Sequence, residues 1–150
     1  MSSENNCLRI RVGGIILDKD RMLLIAHEKD GDIYWLLPGG GVNFGESLED
    51  ALRRELLEEL NISVKIDKIS LLSDSIHPSG QRHIVNVSFL CSYLSGEYKL
   101  GEEDRLHGFN FFTAEELESL KIYPPINTEL IDILKGKDSA TYLGKLWEME

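Results

Sequence analysis

The chain has 150 residues, 42% hydrophobic and 28% charged, enough length and apolar content to bury a core without disulfides. Its formal net charge of −10 argues against nonspecific binding to nucleic acid or to an anionic membrane, though not against an anionic small molecule bridged by a cation. MSSENNCLRIRV at the N-terminus lacks the pattern of a signal peptide, no apolar run reaches the ~20 residues that span a bilayer, and Cys7 and Cys91 match no metal spacing, so both are expected as thiols in a reducing cytoplasm.

Taken in order, residues 9–17 (RIRVGGIIL) read as a strand and 21–27 (RMLLIAH) as its hairpin partner across Asp18-Lys19-Asp20. YWLL at 34–37 is a short strand that runs into Pro38 and three consecutive glycines. Residues 47–60 form the best helix in the chain, because Leu48, Ala51, Leu52, Leu56 and Leu60 recur at helical spacing. Ser47 is its N-cap, with Asp50 as a weak capping-box partner.

VKIDKISLL (64–72) and RHIVNVSFLCSYL (82–94) follow as two longer strands joined through HPSGQ. In the second, Val85, Val87, Phe89, Cys91 and Tyr93 alternate with Asn86, Ser88 and Ser92, the pattern of a strand with one wet face. FNFF at 109–112 is a last short strand, and Thr113 to Glu116 opens a short helix with a capping box. Pro124-Pro125 precedes a final helix over about 126–135, stopped by Gly136. The tail SATYLGKLWEME carries Tyr142, Leu143, Leu146 and Trp147, more apolar surface than a free end shows. It is expected either to cover its own subunit or to help build a homodimer, with the dimer favoured. With no linker in sight, 1–150 is expected to be one α/β domain, a mixed sheet with helices on its faces.

One stretch stands out chemically. RELLEEL at 54–60 places Glu55, Glu58 and Glu59 on one helix face, where each like-charge pair costs roughly 0.2–0.5 kcal/mol. Taken alone, the stretch reads equally well as a solvated helix surface. Read backwards, Gly40 is followed after five residues by Glu46, after seven more by Arg54-Glu55-Leu56, then by Glu58-Glu59 and Ile62. This run of fixed positions over 40–62 resembles the signature box of the Nudix (MutT-like) hydrolases. Asn61 is the one departure, standing where the family has glycine. Asparagine is the next-best residue for the left-handed turn that ends a helix, so the turn is expected to hold.

The resemblance implies a Nudix-type α/β/α sandwich with a mixed central sheet, and hydrolysis of a diphosphate linkage with Mg²⁺ as cofactor, which Mn²⁺ can replace. It makes Glu58 and Glu59 metal ligands and Glu55 either a ligand or the base that activates water. Gly39 matches a position whose backbone carbonyl joins the metal shell, and Glu102 or Glu103 supplies a further carboxylate, Glu103 being chosen. Arg54 and Glu46 are expected to pair and hold the loop against the helix; Arg54 also counts among the substrate-binding candidates with Arg11, Arg82 and Phe44. Arg9 and His83 stand on strands near the box as well, and each of these strand residues is also readable as an exposed position. Tyr34 and Trp35 join Phe44 as aromatics able to stack a base, or else as core or rim. His27, His77 and His107 share no ligand spacing and read as structural or surface residues.

Pro78, sixteen residues past Ile62, resembles the pattern of ADP-ribose pyrophosphatases and turns the choice toward ADP-ribose or a nucleotide sugar. Nucleoside triphosphates and dinucleoside polyphosphates are the alternatives within the enzyme reading. A nucleotide-sensing module without turnover is the alternative outside it. The partner is then a nucleotide-derived small molecule, with no nucleic acid and no membrane.

Overall fold

The computed structural model describes residues 7–103, 106–137 and 141–147; the first six residues and the opening of the apolar tail, 138–140, lie outside them. The elements run β1 (Leu8–Asp18), β2 (Arg21–Lys29), β3 (Asp32–Leu36), β4 (Gly39–Gly41), α1 (Leu48–Leu60), β5 (Ser63–Ile76), β6 (His83–Ser95), β7 (Leu106–Thr113), α2 (Ala114–Leu117), α3 (Asn127–Leu134) and β8 (Tyr142–Leu146).

Alternation along β2 shows how the sequence divides its apolar residues. Successive strand side chains point to opposite faces, so Leu23 and Ile25 join one core with Leu52, Leu56 and Leu60 of α1. Met22 and Leu24 join the other, with Leu117, Ile126 and Leu130 at α2 and α3. Helices therefore cover both faces of the strands, as the sequence predicts. The strand order is β3-β2-β1-β6-β5-β8, with β4 added on β1 and β7 on β2. The sheet is mixed: β1 runs parallel to β6 and β5 parallel to β8, among antiparallel neighbours.

The predicted hairpin of β1 and β2 forms but is short. The strands pair only at Leu17↔Met22 and Asp18↔Arg21, then separate, β1 toward β6 and β4 and β2 toward β3 and β7. The predicted wet face of β6 is a correction. Asn86 and Ser88 are buried along with Val87 and Phe89, because the Asn86 amide donates to Ser75 Oγ at 2.9 Å and to Ser73 Oγ at 3.3 Å. Small polar groups that satisfy one another bury at little cost, and alternation of polarity alone cannot report it.

The box helix ends as its sequence requires. Ser47 Oγ accepts from the Asp50 amide at 3.0 Å, and Asn61 adopts φ 60°, ψ 37°, its amide closing on the carbonyls of Leu56 and Leu57. The Asn61 side chain adds a hydrogen bond to the Glu97 carbonyl at 2.9 Å, which glycine would not make. β8 pairs with β5 of its own subunit, Leu143 and Leu146 pack on the α2–α3 core, and Trp147 meets His77. Leu143 and Leu146 therefore cover this chain's own core, while Tyr142 remains exposed. Among the described residues, no helix is long and apolar enough to cross a membrane.

Candidate active site

β4 lies antiparallel to β1, setting Arg11 opposite Gly41, Val12 opposite Gly40 and Gly13 opposite Gly39. The three glycines do different work. A Cβ at Gly39, whose φ is 154°, would strike the Val12 carbonyl oxygen and sit 2.8 Å from Gly13 Cα. A Cβ at Gly40 would overlap the Glu55 carboxylate, reaching Oε2 at 2.5 Å. At Gly41 a Cβ would meet nothing within 4 Å, so this glycine is the spare one.

Arg54 organises the acidic face. Its Nε and Nη2 donate to the two oxygens of Glu46 at 2.7 and 2.9 Å, Nη1 donates to Glu55 at 3.0 Å and to Glu58 at 3.3 Å, and Nη2 also reaches the Gly41 carbonyl at 3.0 Å. This two-pronged contact holds Glu46 as an anion, its pKa lowered to about 2 chiefly by the Arg54 hydrogen bonds and further by the Asn43 amide, and raises that of Arg54. The guanidinium is thus committed to the protein, and Arg54 does not line the cleft. The predicted pairing with Glu46 is present.

The three box carboxylates have different surroundings. Glu59 is 6% exposed, and its Oε1 accepts from the Gly39 amide at 2.9 Å. Glu55 is half-buried; desolvation raises its pKa, with the Arg54 hydrogen bond opposing. Glu58 is exposed and leans on Arg54. Opposite Glu59 lies His27, Nε2 to Oε2 3.9 Å. His27 is only 7% exposed, and among the described residues neither ring nitrogen has a hydrogen-bond partner. Of the two expectations for it, structural or surface, burial excludes the surface one. Its sequence signal was a polar residue directly after the apolar run MLLIA on a strand next to the box loop.

Glu55, Glu59 and Gly39–Gly41 close one end of a cleft of about 840 Å³, a volume that suits a nucleotide-sized ligand. Glu103 joins them, while Glu102 does not. The chain after β6 crosses the end of α1, the Gly101 amide bonding to the Glu59 carbonyl at 2.8 Å, and this crossing brings Glu103 in. Arg9, Arg11 and Arg82 line the cleft, Arg11 also donating to the Leu37 carbonyl at 3.0 Å. Lys121 and Tyr123 reach it because their stretch hydrogen-bonds along the edge of β3, at Trp35. Nothing in the sequence connected those residues to the box.

Several candidates fall outside. Phe44 is fully exposed and does not line the cleft. Trp35 packs edge-on against Phe112, whereas Tyr34 does line the cleft. His83 bonds to Asp74 at 2.8 Å. Pro78 stands behind its neighbours His77 and Arg82, which are in the lining while it is not.

The residues fit a hard divalent cation. Glu55, Glu59 and Glu103 present carboxylate oxygens to one cleft, and the space beside Glu55 exists only because Gly40 lacks a side chain. Among the described residues, no three His, Cys, Asp or Glu side chains already converge on one point; Arg54 and the Gly39 amide hold the carboxylates apart.

An α/β/α sandwich with this glycine-bounded acidic helix has known counterparts. The NUDIX domain model matches residues 8–132, and the chain belongs to that family. An ADP-ribose pyrophosphatase of Methanocaldococcus jannaschii is 30% identical over 113 residues, covering 74% of this chain and 65% of that protein. An RNA pyrophosphohydrolase of Wolbachia pipientis subsp. Culex pipiens is 45% identical over 60 residues, 40% of this chain and 37% of that protein. The chain thus spans less than two thirds of the length of either curated relative. Among solved structures, a MutT NUDIX hydrolase from Burkholderia pseudomallei superposes with a TM-score of 0.72 at 28% identity, over 84% of this chain and 97% of that one.

Proposed function

We propose that the protein hydrolyses the diphosphate linkage of a nucleoside diphosphate joined to a second moiety, ADP-ribose or a nucleotide sugar being favoured, with Mg²⁺ as cofactor and Mn²⁺ able to replace it. The observation that carries this reading is one cleft in which Glu55, Glu59 and Glu103 face Arg9, Arg11 and Arg82. Glu55, Glu58, Glu59, Glu103 and the Gly39 carbonyl would hold the ion, which when bound neutralises phosphate charge and activates water.

The chain's own groups do the rest. Arg11 and Arg9 bind phosphate oxygens and orient the diphosphate, and Arg82 lines the cleft farther out. Glu55, with its raised pKa, is placed to take the proton of the attacking water at its carboxylate. Arg54 fixes Glu55 in position and tethers Glu58 at the edge of the site. Water adds to one phosphorus, the bridging P–O bond breaks, and the electron pair leaves with the second phosphate; ADP-ribose gives AMP and ribose 5-phosphate.

The likeness to an ADP-ribose pyrophosphatase supports this substrate class, and the net charge of −10 argues against a long nucleic acid. The test is a panel of ADP-ribose, nucleotide sugars, nucleoside triphosphates and dinucleoside polyphosphates, with Mg²⁺ and chromatographic identification of products. A higher kcat/KM for any nucleoside triphosphate, or no hydrolysis of the panel, would overturn the reading.

A further inference from the structure

We infer that Trp147, with His77 beside it, grips the aromatic base of the substrate, so that a strand outside the family-matched region sets specificity. The inference rests on the reading that the substrate is derived from a nucleotide. The match to the family ends at residue 132, and β8 follows it. β8 lies along the edge of β5 away from β6, where Leu72, Asp74 and Ser75 pair with Tyr142, Lys145 and Leu146. The Tyr142 hydroxyl donates to Asp74 Oδ2 at 2.6 Å, while His83 holds Oδ1 of the same carboxylate at 2.8 Å. This anchorage delivers Leu146 and Trp147 to the rim of the cleft. The Trp147 ring meets His77 edge-on, centroids 5.0 Å apart at 69°.

Strand register turns the cleft wall into a ruler. Nearest the carboxylates, Arg11 pairs with both Gly41 and Asn86. Two residues farther out, Arg9 is level with Ile84, Ser75 and Leu146. The next level holds Arg82 and His77, joined by a backbone hydrogen bond of 2.9 Å, with Trp147 against them. At ~3.3 Å per residue, the four steps from Asn86 to Arg82 put this level about 13 Å from the first. The wall therefore runs from carboxylates through Arg11 and Arg9 to an end where Trp147 and His77 stand beside Arg82 over Ile84 and Leu146. That order matches metal-bound phosphate, second phosphate, sugar and base. The other aromatics of the cleft do not compete for the far end. Tyr34 packs on Tyr123 and on His27, which is the neighbour of Glu59.

Calorimetric titration of the full chain with AMP and with ribose 5-phosphate, both with Mg²⁺, tests this without turnover. Wild type should bind AMP the more tightly. Trp147→Ala should weaken AMP about tenfold, the order of one base-stacking contact, and leave ribose 5-phosphate unchanged; Trp147→Phe should stay within a few-fold of wild type. His77→Ala, which leaves β8 intact, should also weaken AMP selectively. In kinetics the loss should fall on KM rather than kcat. AMP affinity unchanged in Trp147→Ala, equal losses for both ligands, or no AMP binding by wild type would overturn the inference. Because binding is measured directly, the result stands whether or not the hydrolase reading survives the substrate panel.

Discussion

Gly40→Ala separates the fold from the chemistry. The added methyl would lie 2.5 Å from Glu55 Oε2, where ordinary contact with a heavy atom begins near ~3.5 Å, so the carboxylate must retreat by about 1 Å. It can do so, because the obstacle is the end of a flexible side chain. The fold loses at most the Arg54–Glu55 hydrogen bond of 3.0 Å, worth roughly 1 kcal/mol, and 1 kcal/mol moves Tm by about 2–4 °C in a chain of this size. Turnover is another matter: a 1 Å misplacement of a reacting group costs on the order of 10²-fold. The assay is kcat on the best substrate of the panel, beside a thermal melt. Two neighbours serve as controls. Gly41→Ala, with nothing within 4 Å, should be silent in both readouts, whereas Gly39→Ala would drive a methyl into the Val12 carbonyl and should not fold. A kcat within about threefold of wild type in Gly40→Ala would refute the placement of Glu55 at the reacting centre, where the expected loss is ~10²-fold.

Glu58→Gln and Glu59→Gln should each stay folded and lose at least the ~10- to 100-fold in activity that disturbing a metal site's support costs, since a neutral amide is a poor Mg²⁺ ligand. Mg²⁺ should then raise Tm of wild type more than that of either variant, and near-normal turnover in either would remove it from the metal site. Glu46 has its pKa lowered to about 2 from 4.5, so its contribution to stability is present above pH 4.5 and lost as the pH falls toward 2. Glu46→Gln should accordingly melt below wild type at pH 7, with the gap closing across that window in pH-dependent melts; a constant gap would refute the ion-pair account. His27→Phe, measured without metal or substrate, should raise Tm by a few degrees, because an unpaired buried polar group costs about 1–3 kcal/mol. A lower Tm would mean that the ring is satisfied in solution.

Short-range rules made much of this protein legible. The stripe Leu48, Ala51, Leu52, Leu56 and Leu60 and the cap Ser47 defined α1 from residues within a few positions of one another, and the same local logic put Asn61 in the left-handed turn. The fixed spacing of the box therefore carried the family and the carboxylates, because side chains on one helix keep their relative places whatever surrounds them. The cleft was beyond that reach. Arg11 and Asn86 are neighbours only because β1 lies parallel to β6 across some seventy residues of chain. Only such pairings bring Arg9 and Arg11 to the cleft that the carboxylates line and bury Asn86 against Ser75. Three consecutive glycines look alike in sequence; the backbone of Val12 and the side chain of Glu55 make two of them necessary and leave the third indifferent. Trp147 reads as an apolar tail residue until β8 finds β5. Periodicity and capping are written in residues close along the chain, whereas a cleft is made by strands that must first find each other.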